Sequence, residues 1–346
     1  ELIDDIQKVA FAFRGYDVKN LGKTPELLEI SEYRPILLSH LAEATEQCCQ
    51  GLGREVDLAA KLIAREEFEL DHYGEAIAMI VAVEQAQLEI LRTCHGINTK
   101  EGAFNFGFSL GEISALVASG VYSLPDALRI PLTLVDDCIE LARDVTLGIV
   151  FSRREELSID RIEKTLIEIN SRGKGVIGVS THLSPNSVLV MGNGSTIDVL
   201  KARLREDFPK GTNLRCNDHR WPPLHTAIVW EKDLTSRTAR QLHALPGGFQ
   251  EPSPPILSLV TGEFSYNEYN AREHMTYWVD HTQLLWAAVC EVLYSDVTTI
   301  VHLGPDPNII PSTFDRLRKN VESQINLNKG MQALSAAVDR PWLRAL

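Results

Sequence analysis

The run Ala-Phe-Asn-Phe-Gly-Phe-Ser-Leu-Gly-Glu-Ile-Ser-Ala-Leu-Val, residues 103–117, constrains this chain more than any other stretch. Phe104, Phe106 and Phe108 alternate, which is strand spacing, whereas Leu110, Ile113, Leu116 and Val117 share one helical face. Ser109 therefore sits where a strand turns into a helix, flanked by Gly107 and Gly111. Glycines let a chain turn sharply enough there to lift a hydroxyl clear of a sheet, as a nucleophile elbow requires. The N-terminus of the following helix puts partial positive charge where a tetrahedral oxyanion would form, and the Leu110 N–H is the expected first donor to it. The bland alternative is an ordinary strand-to-helix turn that happens to contain serine.

A serine hydroxyl needs a base at neutral pH. The chain has ten histidines, and periodicity does not choose among them. His225, in Trp-Pro-Pro-Leu-His-Thr, opens an apolar stretch, and His219 lies six residues earlier in a polar loop. Both stand as candidates.

With 346 residues, the chain can bury a large core, and one large domain with a smaller one inserted or appended is expected. A strand is expected at Val9 to Phe13, a helix at Ala76 to Arg92 stopped by Gly96, and late strands at Ile256 to Val260 and Thr299 to Leu303. Residues 145–216 read strand-helix-strand-strand-helix-strand, the ferredoxin-like order, with Ser158 or Asp160 capping the first helix and Ser195 with Asp198 opening the second. Gly192-Asn193-Gly194 reads as a strand-to-helix turn rather than a phosphate loop.

A net charge of −13 argues against a nucleic-acid partner, and no apolar run reaches the length of a membrane span. The N-terminal segment carries acids where a secretory signal has bases and lacks an initiator Met, as expected of a chain trimmed or cut from a longer one. Six cysteines without metal-ligand spacing point to reduced thiols and a cytoplasmic setting. No metal is expected. The acidic group Glu66, Glu67, Glu69, Asp71, His72 and Glu75 reads as a solvated helix start. The basic clusters Arg203, Arg205, Lys210 and Arg316, Arg318, Lys319 are where contact with an acidic protein or with phosphates is expected.

The segment Gly107 to Arg129 resembles the elbow and following helix of the malonyl-CoA:acyl-carrier-protein transacylase family, which includes the acyltransferase domains of polyketide synthases and usually reads Gly-His-Ser-Leu-Gly-Glu. Ala76 to Leu91, Pro255 to Phe264 and Val297 to Ile309 resemble its preceding helix, a late strand and its final glycine-proline turn. The resemblance implies an α/β fold: an α/β-hydrolase-like large domain, residues 1–144 and 217–346, with an inserted ferredoxin-like small subdomain, residues 145–216. It implies Ser109 as nucleophile and His225 as base, oriented by a backbone carbonyl near Val279. Backbone N–H groups of Leu110 and Tyr16 would form the oxyanion hole. The resemblance implies no permanently bound cofactor. Acyl-CoA would acylate Ser109, and the phosphopantetheine thiol of an acyl carrier protein would accept the acyl group.

Four positions depart from the family pattern. The first loop is Gly15-Tyr16-Asp17 rather than Gly-Gln-Gly, Phe108 replaces the histidine before the nucleophile, and Val279 stands where the family has glutamine. Counting without gaps, Leu134 takes the place of the arginine that pairs with the malonyl carboxylate. Losing the partner of a buried carboxylate costs roughly 3–5 kcal/mol, so in a pocket lined by Phe108, Leu134 and Leu224 neutral acyl groups stand as candidates beside a disfavoured malonyl. Arg129 and Arg143 are the candidate substitutes if a carboxylate is bound after all. Water as acceptor, in an editing hydrolase or thioesterase, and a catalytically silent scaffold are the competing expectations.

Overall fold

The computed structural model describes residues 5–152 and 156–305. Four strands build a parallel sheet: β1 (Val9–Phe13), β2 (Phe104–Gly107), and, late in the chain, Ile256–Leu257 and Thr299–Leu303. Between these pairs in sequence lies a second sheet of β3 (Val145–Ser152), β4 (Ile177–Ser184), β5 (Ser187–Asn193) and β6 (Thr212–Cys216), so the late strands are β7 and β8. The parallel sheet has the order β7-β2-β1-β8.

Every residue of β1 is buried, because both faces of this sheet are covered. Val9, Phe11 and Phe13 face one core, which contains most of the helix Tyr73–His95, while Ala10 and Ala12 face another with Phe104, Phe106 and the helix Leu285–Tyr294. The helix Tyr73–His95 extends the expected span by a turn at each end and stops at Gly96 in the left-handed conformation, φ 66°. The strand expected over Ile256 to Val260 is only two residues long. Beyond it the Ser258 hydroxyl and the Leu259 N–H turn aside to the buried carboxylate of Glu112, and Ser258 closes a turn with Glu263 and Gly262.

The second sheet is antiparallel, with order β4-β5-β3-β6 and helices Ile159–Asn170 and Thr196–Asp207 between its strands. It has an apolar core of its own, including Val150, Ile162, Val188, Val190 and Leu200. Of the two caps considered for its first helix, Ser158 is the one that accepts a bond from Arg161 N–H. Ser195, expected to open the second as a capping box, makes no capping bond; the Thr196 hydroxyl closes the turn on the Asn193 carbonyl instead. Gly194 N–H goes to Asp144, so the Gly192-Asn193-Gly194 turn is bound internally.

Glu75 is buried and paired with Arg54, not solvated as its acidic neighbourhood suggested. Glu67 receives the N–H groups of Asn20, Leu21 and Gly22, fixing the loop after β1. Among the described residues no group of His, Cys, Asp and Glu has the arrangement to hold a metal, and no helix is long and apolar enough to cross a membrane. All six cysteines are free thiols. Arg316, Arg318, Lys319 and the end of the Val297 to Ile309 segment lie outside the described residues.

Candidate active site

Ser109 is the N-cap of the helix Leu110–Ala118, yet its side chain makes no cap bond. An N-cap serine ordinarily turns its oxygen onto the N–H groups of the first turn. Here the backbone is at φ 53° and ψ −114°, a conformation that L-residues rarely adopt and that typically costs about 1–3 kcal/mol. It directs the hydroxyl away from the helix and onto Nε2 of His225, 2.7 Å away. That arrangement rests on two glycines. A methyl placed on Gly107 would come within 2.1 Å of the Gly111 backbone, and one on Gly111 within 2.2 Å of the Phe13 carbonyl oxygen. No side chain fits at either position, which is why the elbow needs glycine on both sides of the serine.

His225 is the histidine brought to the serine; the exposed His219 is left in its loop. The expected orienting carbonyl at Val279 needs a correction of one residue. Nδ1 of His225 lies 2.7 Å from the carbonyl oxygen of Trp278, while the Val279 carbonyl accepts the His225 main-chain N–H at 2.8 Å. The two carbonyls belong to the last turn of the helix Ala271–Asp280, where C=O groups have no helical partner and carry the negative end of the helix dipole. A carbonyl only accepts, so Nδ1 carries the proton and Nε2 is left to accept from Ser109. Burial pushes the His225 pKa down to about 4, opposed by the Trp278 carbonyl and the charge of Asp280. The imidazole is therefore neutral and available as a base across the physiological range.

Trp278 touches both partners. Its indole N–H donates to the Ser109 carbonyl at 2.8 Å, and its ring meets the His225 ring edge-on at a centroid separation of 5.4 Å. Gln283 is the other contact that sequence reasoning missed: its Oε1 accepts the Ser109 N–H at 3.3 Å. Neither has a local sequence signature, since each acts through an amide, an indole N–H or a main-chain carbonyl supplied from far along the chain.

The first loop packs on the elbow. A methyl on Gly15 would lie 2.7 Å from the carbonyl oxygen of Phe108, so the loop bearing Tyr16 runs against the residue before Ser109. The Tyr16 ring is half-buried between Tyr73 and Trp221, and burial lifts its phenol pKa to about 12. Leu110 is the first residue of its helix, so its N–H has no partner within that helix. Before Gly15, the fully buried Arg14 lies 3.4 Å from Asp17, and none of its guanidinium nitrogens has a hydrogen-bond partner among the described residues.

Leu134 and Leu224 are both buried in the larger core, whereas Phe108 packs with the core on the other face of the parallel sheet. Arg129 and Arg143, the candidate replacements for a cation at Leu134, are exposed, and Arg143 pairs with the exposed Asp71. The α/β architecture does not bring either of them inside.

Taken together, the chain is an α/β protein whose parallel sheet carries a serine elbow and whose antiparallel sheet lies beside it in sequence. No protein-family model matches the chain. Its fold is that of malonyl-CoA:acyl carrier protein transacylases and polyketide-synthase acyltransferase domains. It superimposes on FabD from Acinetobacter baumannii with a TM-score of 0.71 and 20% identity, covering 96% of this chain and 98% of that one. For the acyltransferase domain from module 8 of the salinomycin polyketide synthase the TM-score is 0.70, with 22% identity over 92% of this chain and 68% of that one. In sequence the chain is 25% identical over 307 residues to hispidin synthase of Neonothopanus nambi, covering 86% of this chain and 17% of that protein. It is 26% identical over 243 residues to the spectinabilin polyketide synthase system protein NorB of Streptomyces orinoci, covering 69% of this chain and 10% of that protein. The chain thus spans a small part of the curated relatives it matches.

Proposed function

We propose that this chain is an acyltransferase that moves an acyl group from coenzyme A to the phosphopantetheine thiol of an acyl carrier protein through an acyl-Ser109 intermediate. The observation that carries this is the Ser109–His225–Trp278 carbonyl relay, two bonds of 2.7 Å built on a strained serine elbow. Ser109 Oγ attacks the thioester carbonyl while His225 Nε2 takes its proton, and the Trp278 carbonyl steadies the imidazolium. The N–H groups of Leu110 and Tyr16 receive the developing oxyanion. The C–S bond breaks, and the CoA thiolate leaves with the proton from His225. The carrier thiol then gives its proton to His225 and attacks the acyl-serine ester; a C–S bond forms, the ester C–Oγ bond breaks, and Oγ takes the proton back from His225, which regenerates both residues.

The acyl group is neutral in this proposal. Leu134 and Leu224 are apolar and buried, and a free carboxylate beside them meets neither Arg129 nor Arg143. Of the basic cluster proposed for carrier contact, Arg205 and Lys210 are exposed, while Arg203 is engaged by Glu168 and Asp207. The test is intact-protein mass spectrometry after brief incubation with acetyl-, octanoyl- or malonyl-CoA, with Ser109→Ala as control. A serine-dependent acetyl or octanoyl adduct that a carrier protein discharges is the expected result. A malonyl adduct would overturn the neutral assignment and direct attention to Arg14. Release of free acid at the rate of acylation would make water the acceptor, and no adduct or hydrolysis with any donor would leave a scaffold.

A further inference from the structure

We infer that Gln283 is a positioning residue that ties the backbone of Ser109 to the edge of the antiparallel sheet, so that the placement of that sheet sets the reactivity of the nucleophile. This rests on Ser109 being the nucleophile, and goes beyond it by naming what holds the serine in its strained conformation.

Three observations converge on the residue. First, its side chain and its main chain are committed to different sheets. Oε1 accepts the Ser109 N–H, which caps the elbow at the end of β2. The Gln283 main-chain N–H donates to the Ser180 carbonyl at 2.9 Å, and the Gln283 carbonyl accepts the His182 N–H at 2.9 Å, both on β4. Thr282 adds a bond from its hydroxyl to the Val179 carbonyl at 2.7 Å. Residues 282–283 thereby run parallel along the outer edge of β4, bridging Thr181, and cover an edge that would otherwise be open.

Second, Gln283 is fully buried, and its Nε2 has no hydrogen-bond partner among the described residues. A buried amide with unpaired donors is unfavourable, and packing alone would be served better by an apolar side chain of the same length. The oxygen of the amide is the part that the structure uses. Third, what that oxygen holds is strained. Ser109 stands at φ 53°, and its N–H lies outside the helix, so the helix supplies no acceptor for it. Trp278 grips the other end of the same residue through the Ser109 carbonyl. The same carbonyl also accepts the Glu112 N–H at 3.0 Å, so Gln283 is what holds the N–H end; without that acceptor the elbow can rotate its Oγ away from Nε2 of His225.

The test uses the full chain and a fluorophosphonate probe, which reports serine reactivity without knowledge of the acyl group. Ser109 Oγ attacks phosphorus, a P–O bond forms, the P–F bond breaks with departure of fluoride, and the serine proton passes to His225. Gln283→Met keeps length and volume but has no acceptor; Gln283→Glu keeps an acceptor oxygen at the same reach. The expected result at pH 8 is a labelling rate lowered tenfold or more in Gln283→Met, with circular dichroism and the midpoint of thermal unfolding little changed, and a rate within about threefold of the parent in Gln283→Glu. Peptide-level hydrogen exchange across 107–111 is expected to speed up in Gln283→Met only. Thr282→Val, which loosens the hold on β4 without touching the elbow, is expected to lower labelling by a few-fold. Labelling of Gln283→Met at the parental rate, or equal losses in the Met and Glu variants while both stay folded, would overturn the positioning role. An unchanged rate in Thr282→Val would overturn the link to the sheet. Failure of the unsubstituted chain to label at Ser109 would instead remove the nucleophile itself, a result distinct from either.

Discussion

The low basicity of His225 keeps its ring able to accept a proton well below neutral pH. Its pKa falls from 6.5 to about 4 because the ring is buried, and the Trp278 carbonyl and Asp280 recover only part of that shift. At pH 5.5 a base of pKa 4 is about 97% neutral, whereas one of pKa 6.5 is about 9% neutral, a difference of about tenfold in the fraction able to accept the serine proton. Labelling of Ser109 by the fluorophosphonate probe, followed from pH 4 to 8, should therefore hold its plateau well below pH 6.5 and fall to half near 4. Stability must move with it. The unfolded chain binds a proton at His225 below pH 6.5 that the folded chain refuses until about pH 4, so folding stability declines as the pH falls through that window. The fall from 6.5 to about 4 corresponds to about 3 kcal/mol of stability, fully lost below pH 4. Urea unfolding at pH 7.5 and 5 would show the first part of that loss. Half-maximal labelling at pH 6.5 or above, with the fold intact, would refute the claim that the burial seen at His225 governs its protonation.

Other perturbations test the frame around the pair. Gly107→Ala forces a methyl to within 2.1 Å of the Gly111 backbone, so a cost at or above the upper end of the about 1–3 kcal/mol usual for overpacking is expected, together with loss of labelling; thermal unfolding and probe kinetics read both. Trp278→Phe keeps the carbonyl that faces His225 but removes the indole bond to Ser109, and a loss of about 1 kcal/mol, or about fivefold in labelling rate, should follow. Glu112→Gln leaves an amide N–H₂ facing a donor at the site that now serves Ser258, Tyr266 and Leu259, and denaturant titration should show a loss of about 1–3 kcal/mol.

What the sequence determined by itself is the local part of this protein. Alternating phenylalanines that give way to a helical stripe mark the strand-to-helix junction, and glycines two residues either side of Ser109 mark its turn, because periodicity and backbone permissiveness act over a few residues. The succession of elements from 145 to 216 is legible for the same reason, and so is a long apolar helix ending at Gly96. Family resemblance then singled out His225 and misjudged the orienting carbonyl by one residue, at Val279 rather than Trp278, since a main-chain group leaves no mark in the side-chain pattern. Only the tertiary structure decided which distant groups converge on the serine. His225, Trp278 and Gln283 lie 116, 169 and 174 residues beyond it, and their bonds depend on where two sheets and a helix end come together. The same applies to Arg129 and Arg143, whose nearness in sequence to Leu134 did not carry them into the core. A chain dictates its turns and stripes locally; the Ser109–His225–Trp278 hydrogen bonds, the contacts on the elbow and the surroundings of Leu134 follow from packing between elements that local sequence does not register.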